Sequence, residues 1–116
     1  MAEFSGSLVA IVTPFRDGAL DLPAFRALVE WHLASGTSGV VVAGTTGESA
    51  TLHPEEREML CRAAVEVAKG RCPVVAGTGT NATWSSVAMA RAAAGWGVDG
   101  LLVVTPYYNK PTQEGL

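Results

Sequence analysis

The amino-acid sequence predicts an α/β fold, the N-terminal half of a (β/α)8 barrel, and three observations carry that reading. Four valine-rich apolar runs, Leu8 to Val12, Gly39 to Ala43, Pro73 to Ala76 and Gly100 to Val104, are continuous and do not alternate with polar residues. Continuous runs of this kind are strands covered on both faces, as in a parallel sheet. Segments of helical period separate them, and the strand-helix unit returns roughly every 30 residues. The repeat alone also fits a doubly wound sheet. Length favours the barrel: a complete one takes ~250 residues, so four strands and three helices make about half of it.

The first strand leaves into Thr13-Pro14. The first helix, Leu22 to Ser35, opens with Asp21 as N-cap and Pro23 in the first turn, stripes Phe25, Leu28, Val29 and Leu33 on one face, and closes at Gly36. After the second strand, a helix begins at Pro54 with Glu55 and Glu56 at its positive end, stripes Leu60, Ala64 and Val67, and stops at Lys69-Gly70. The third helix, from about Thr83, is alanine-rich with Val87, Ala90 and Ala94 expected inward, ending near Gly95 and Gly97. Beyond the fourth strand, Pro111 to Leu116 reads as the start of a fourth helix, so residues 1–116 are expected to be a partial TIM-barrel domain, a fragment with no second domain.

Composition narrows the function. With 48% hydrophobic and 16% charged residues, the chain belongs to the globular class. A net charge of -3 without any Lys/Arg run argues against nucleic acid or an anionic membrane as partner and favours a small soluble substrate. The N-terminus carries no basic leader and no run long enough to span a bilayer, so a cytoplasmic location is expected. Cys61 and Cys72 have neither a disulfide framework nor metal-type spacing to a histidine, and both read as reduced, buried thiols. His32 is expected to pack on its helix and His53 to serve the start of the next one.

In parallel β/α folds chemistry sits at the carboxyl ends of strands. The exits after Thr13-Pro14 are Gly44-Thr45-Thr46-Gly47-Glu48-Ser49, Gly77-Thr78-Gly79-Thr80-Asn81 and Thr105-Pro106-Tyr107-Tyr108-Asn109. Hydroxyls and glycine-flanked amides suit a small carboxylate and its protons, whereas a phosphate site usually adds a cation. In the Gly44 to Ser49 stretch the N–H groups of Thr45 and Thr46 can reach an oxyanion, although threonines in such a turn also satisfy backbone groups. Gly77 to Ala82 has the outline of a dinucleotide turn, but Asp99 stands at the wrong end of the following strand for a ribose and the first strand lacks the glycine fingerprint. Lys110, between Asn109 and Pro111, looks too solvated for a Schiff-base nucleophile.

Taken together, the Gly44 to Ser49 stretch, Gly77-Thr78-Gly79 with Asn81, and Thr105 to Leu116 with its paired tyrosines resemble the dihydrodipicolinate synthase family of pyruvate-dependent class I aldolases. The opening Gly6-Ser7 and Ser35-Gly36-Thr37 are similar too, so the likeness runs the whole chain. Sialic acid lyase and related keto-acid aldolases share the barrel but differ at the first threonine and the tyrosine pair.

The resemblance implies a cytoplasmic lyase of lysine and diaminopimelate synthesis. It condenses pyruvate, held as a Schiff base on a lysine, with aspartate semialdehyde to form 4-hydroxy-tetrahydrodipicolinate, using no metal and no organic cofactor, in a homotetramer built as a dimer of dimers. By the same resemblance Thr46 binds the pyruvate carboxylate, Thr45 bridges a proton relay, and Tyr108 is the relay tyrosine that crosses a tight dimer contact also occupied by Tyr107. Ser49, Ala50, Asn81 and Tyr107 correspond to a dimer-interface pocket that binds lysine as an effector in some members. Arg57 and Ser85 stand where that pocket commonly has a histidine and a glutamate, which predicts weak lysine inhibition. The family's Schiff-base lysine belongs to the later half of its barrel, so this chain alone is expected to be inactive. A non-catalytic half-barrel acting as an interaction module is the alternative from another class.

Overall fold

The valine runs form strands and the periodic segments form helices, in a computed structural model that describes residues 3–116. In chain order the elements are β1 (Leu8–Ala10), β2 (Phe15–Arg16), β3 (Ala19–Leu20), α1 (Leu22–Ala34), β4 (Gly39–Val42), α2 (Pro54–Ala68), β5 (Val74–Gly77), α3 (Thr83–Ala93) and β6 (Gly100–Leu102). Single 3-10 turns lie at Ser49–Thr51 and Gln113–Gly115. The second of these turns occupies the place where the sequence reads as the start of a fourth helix.

The main sheet runs β1-β4-β5-β6, with every neighbouring pair parallel. Strand order follows chain order without the reversal that defines a doubly wound sheet, so the pattern is that of a barrel wall. Register aligns Val40 with Val74 and Val42 with Ala76. Because side chains alternate across a strand, these four share one face. That face meets Phe25 and Val29 of α1, Leu60, Cys61 and Ala64 of α2, and Ala93 and Trp96 at the end of α3 in a single core. Val41 and Leu102 fall on the opposite face, and Leu102 is 49% exposed there.

Local chemistry explains the helix ends. Asp21 Oδ1 accepts from the N–H of Ala24 at 3.0 Å, satisfying one of the free donors at the start of α1. The N–H of His53 donates to Glu56 Oε1 at 2.9 Å at the start of α2, the service expected of His53. Lys69 and Gly70, with φ of 48° and 76°, end α2 in the left-handed region. The ring of His32 packs edge-on against Trp31, with centroids 4.9 Å apart.

Two further features depart from the sequence reading. Asp17-Gly18, with φ of 52° and 79°, turns β2 back onto β3 in an antiparallel hairpin that the sequence reading lacked. The inward face of α3 is carried by Ala93 and, just beyond the helix, Trp96, whereas Val87 is 43% exposed and Ala94 is also exposed. An alanine-rich helix offers little contrast between its faces, and the bulky indole at residue 96 decides which side turns to the core.

At the amino ends of the strands, Ser38 donates its N–H to Ser7 O at 2.8 Å and Phe4 covers Gly100, where a Cβ would come within 2.6 Å of the ring. Asp99 pairs with the backbone of Val74 through both its N–H (2.8 Å) and its carboxylate (2.9 Å). It stands far from the exits, as its position before β6 requires.

Candidate active site

The carboxyl ends of β1, β4 and β5 are held together by polar contacts. Thr13, 5% exposed, donates its hydroxyl to Gly47 O at 2.7 Å, which ties the exit of β1 to the loop after β4. Gly47 lies so close that a Cβ would sit 3.1 Å from Ile11 O and 3.2 Å from Ala43 N. The loop folds on itself: Gly47 and Ser49 donate to Gly44 O at 3.1 and 3.3 Å, and Glu48 donates to Thr45 O at 3.0 Å.

Ala43 and Glu48, the residues flanking this turn, have φ of 55° and 59°. The left-handed conformation costs a residue with a Cβ about 1–2 kcal/mol. Strain of this kind gathers at sites where geometry is set for function. Thr45 and Thr46 stand exposed at the tip, and no backbone acceptor among the described residues takes the N–H of either. Two adjacent free amides and two hydroxyls are thus offered outward, an arrangement able to receive a carboxylate.

At the β5 exit, a Cβ on Gly77 would overlap the carbonyl oxygen of Ala43, and one on Gly79 would overlap the N of Val104. The G-x-G spacing is accounted for by close approach of neighbouring backbones, so no dinucleotide is needed to explain it. Thr78 between them is fully buried, and its Oγ1 has no partner among the described residues.

The third exit presents Tyr107 and Tyr108 differently. The N–H of Asn109 donates to Tyr107 O at 2.8 Å, closing a three-residue turn whose apex, Tyr108, has φ of 68° and is 93% exposed. A positive φ is uncommon for a bulky residue. Asn109 Nδ2 donates to Asn81 O at 3.1 Å and anchors this loop to the β5 exit. Lys110 is exposed, with φ of 27°.

A cavity of about 710 Å³ opens among Thr45, Ser49 and Ala50 of the first loop, Thr80 of the second, Tyr107 of the third and Arg57 of α2. A smaller hollow of about 150 Å³ lies beside it, lined by Gly44, Thr45, Gly77, Gly79 and Leu102 among others. Thr45, Ser49, Gly79 and Val104 are common to both. The structure therefore brings Thr45, Ser49, Ala50 and Tyr107 to one rim. Thr46 shares the turn but lines neither space, and Asn81, Tyr108 and Ser85 line neither as well.

Arg57 lies with Ser49, Ala50 and Tyr107, as the resemblance implies, but its burial is a feature that the sequence reading lacked. It borders the larger cavity yet is only 4% exposed, and its guanidinium donates to the carbonyls of Ala43 (3.4 Å), Gly77 and Ser49 (3.0 Å). Burial depresses its pKa below the usual guanidinium range. The signal for its burial was present: position 57 falls on the inward stripe of α2 with Leu60, Cys61 and Ala64. Burial also pushes the neighbouring Cys61 thiol up to about 12.

Comparison with known proteins follows the same lines. Residues 3–116 match the model of the dihydrodipicolinate synthetase family. The 4-hydroxy-tetrahydrodipicolinate synthase of Anaeromyxobacter sp. (strain Fw109-5) is 59% identical over 116 residues, which is 100% of this chain and 39% of that protein. The dihydrodipicolinate synthase of Thermotoga maritima superposes with a TM-score of 0.94 at 48% identity, covering 97% of this chain and 38% of the other. A chloride-inhibited dihydrodipicolinate synthase from Acinetobacter baumannii, solved in complex with pyruvate, gives a TM-score of 0.91 at 50% identity over 95% of this chain and 38% of its own. The chain thus spans about two fifths of the length of the relatives it matches, and over that span it belongs to the dihydrodipicolinate synthetase family.

Proposed function

We propose that these residues form the carboxylate-binding and proton-handling part of a lyase that condenses pyruvate with aspartate semialdehyde to 4-hydroxy-tetrahydrodipicolinate, on the route to diaminopimelate and lysine. The observation that carries the reading is the pair of amides at Thr45 and Thr46, unengaged among the described residues and exposed on a strained turn whose Thr45 borders a hollow of about 150 Å³. That space suits a three-carbon keto acid. The pyruvate complex of the Acinetobacter baumannii relative supports the same ligand class.

In this reading the pyruvate carboxylate takes the N–H and hydroxyl of Thr46. Its carbonyl carbon is joined as an iminium to a lysine in the part of the family's barrel beyond the residues matched here. The iminium withdraws electrons, so the methyl group loses a proton and the resulting enamine attacks the aldehyde. Thr45 passes protons between the reacting groups, with Tyr108 completing the relay from across a dimer contact. The strained, 93% exposed setting of Tyr108 suits a side chain held out for a second subunit. The assembly proposed is a cytoplasmic dimer of dimers that uses neither metal nor organic cofactor. Among the described residues no helix is long and apolar enough to cross a membrane.

Borohydride trapping with labelled pyruvate tests the proposal. The full-length protein carrying this segment should become labelled on one lysine, and residues 1–116 alone should stay unlabelled. Label on Lys69 or Lys110 of the short chain, or none on the full-length protein, would contradict it.

A further inference from the structure

We propose that Arg57 is a positioning residue: its buried guanidinium fixes the Thr45-Thr46 turn by holding the backbone on both sides of that turn and at the neighbouring strand exit. The inference rests on the proposed function for what the turn binds, but the clamp itself stands on geometry alone.

The turn leaves β4 at Ala43 and enters the Ser49–Thr51 3-10 turn at its far side. Arg57 Nη1 donates to Ala43 O at 3.4 Å and to Gly77 O, and Nη2 donates to Ser49 O at 3.0 Å. One planar fork therefore grips the entry of the turn, its exit, and the end of β5. No salt bridge to Arg57 occurs among the described residues.

A buried cation without a counter-ion is an expensive way to stabilise a core, since an apolar side chain of similar size would serve as well or better. Its Nε is fully buried and has no partner among the described residues, and the same holds for Thr78 Oγ1, next in sequence to the Gly77 whose carbonyl the arginine holds. What the cation does here is specific. Ala43 is held at φ 55°, a conformation its own side chain disfavours, and the clamp on its carbonyl supplies an external restraint on that peptide. Rotation of the Ala43-Gly44 peptide would re-aim the amides of Thr45 and Thr46, which are the groups offered to the carboxylate.

Chemistry also separates this role from that of a simple positive charge. A lysine ammonium is a compact point charge without the guanidinium's rigid, widely spaced donors, so charge alone should not replace the fork. The larger cavity keeps Arg57 as part of its wall, with little of the guanidinium accessible to a ligand.

The test uses Arg57→Ala, Arg57→Lys and Arg57→Gln in the full-length protein. A misplaced binding group raises KM for its ligand, whereas partial unfolding lowers the amount of active enzyme and leaves KM alone. The expectation is a pyruvate KM about tenfold or more higher in Arg57→Ala, with millimolar guanidinium ion restoring it, and only partial recovery in Arg57→Lys. Hydrogen exchange of peptides spanning residues 43–51 should quicken at least tenfold while peptides from α1 stay protected. Should Arg57→Ala fail to fold, Arg57→Gln is read in the same two ways. Unchanged exchange of the turn in a folded variant overturns the proposal. So does a fall in kcat with neither a KM change nor guanidinium rescue. If the parent protein does not turn over pyruvate at all, the proposed function fails, while the exchange measurement still decides the clamp.

Discussion

Thr13 and Gly47 are joined by a buried 2.7 Å hydrogen bond from the threonine hydroxyl to the glycine carbonyl, which ties the exit of β1 to the loop after β4. Thirty-four residues separate them in sequence. The bond transmits the position of the barrel wall to the turn that carries Thr45 and Thr46.

Thr13→Val keeps the shape and removes the donor, leaving Gly47 O buried and unpaired. The expected cost is ~1–3 kcal/mol, read as a lower urea midpoint with an unchanged slope in the full-length protein. An unchanged midpoint would show that this bond holds nothing.

Gly77→Ala and Gly44→Ala should behave oppositely. A methyl at residue 77 meets the Ala43 carbonyl oxygen, and neither backbone can retreat without opening the β4–β5 ladder. At residue 44 the same methyl lies 3.7 Å from Val41 Cγ1, an ordinary contact. Thermal melts should show a fall of several degrees for Gly77→Ala and little change for Gly44→Ala.

For the threonine pair the expected effects divide. Thr46→Val removes a hydroxyl that would contact the carboxylate and should raise pyruvate KM about tenfold or more, the scale of one hydrogen bond to a charged group. Thr45→Val should act on kcat, falling about a hundredfold if the hydroxyl carries a proton. Steady-state kinetics separates the two, and equal effects on both parameters in both variants would undo the assignment.

Cys61 gives a pH prediction. Its folded pKa is raised from 9.0 to about 12 because burial disfavours the thiolate, so the folded state holds the proton more tightly than the unfolded chain. The associated stability is complete below pH 9.0 and is lost progressively as pH rises from there toward about 12. Denaturation midpoints measured across that window should fall for the parent and fall less for Cys61→Ala. Thiol reagents should leave Cys61 untouched in the native protein at pH 8.

Much of the architecture was legible because burial on both faces leaves an unmistakable mark. The runs containing Val40 to Val42 and Val74 to Ala76 became buried strands, and Asp21, Pro54 and Gly70 punctuated the helices as their chemistry requires. The threonine loop and tyrosine loop could be named from position alone, since strand exits gather at one end of a parallel sheet. Other features leave fainter marks or none. The Asp17-Gly18 hairpin carries a signal, a two-residue turn favouring positive φ, but strands of only two residues leave no periodicity beside it. By contrast, Ala43 and Tyr108 adopt positive φ for reasons set by tertiary contacts, and neither residue type advertises it. Arg57 shows the difference between a residue's charge and its use: charge was visible in the sequence, but three carbonyls drawn from separate elements exist only after folding.

The most direct test of the account is the position of pyruvate in crystals of the borohydride-trapped full-length protein. The account predicts the carboxylate within hydrogen-bonding distance of the Thr46 N–H and hydroxyl, with Thr45 beside the trapped carbon. A carboxylate bound at another rim of the barrel, with both threonines facing solvent, would contradict it.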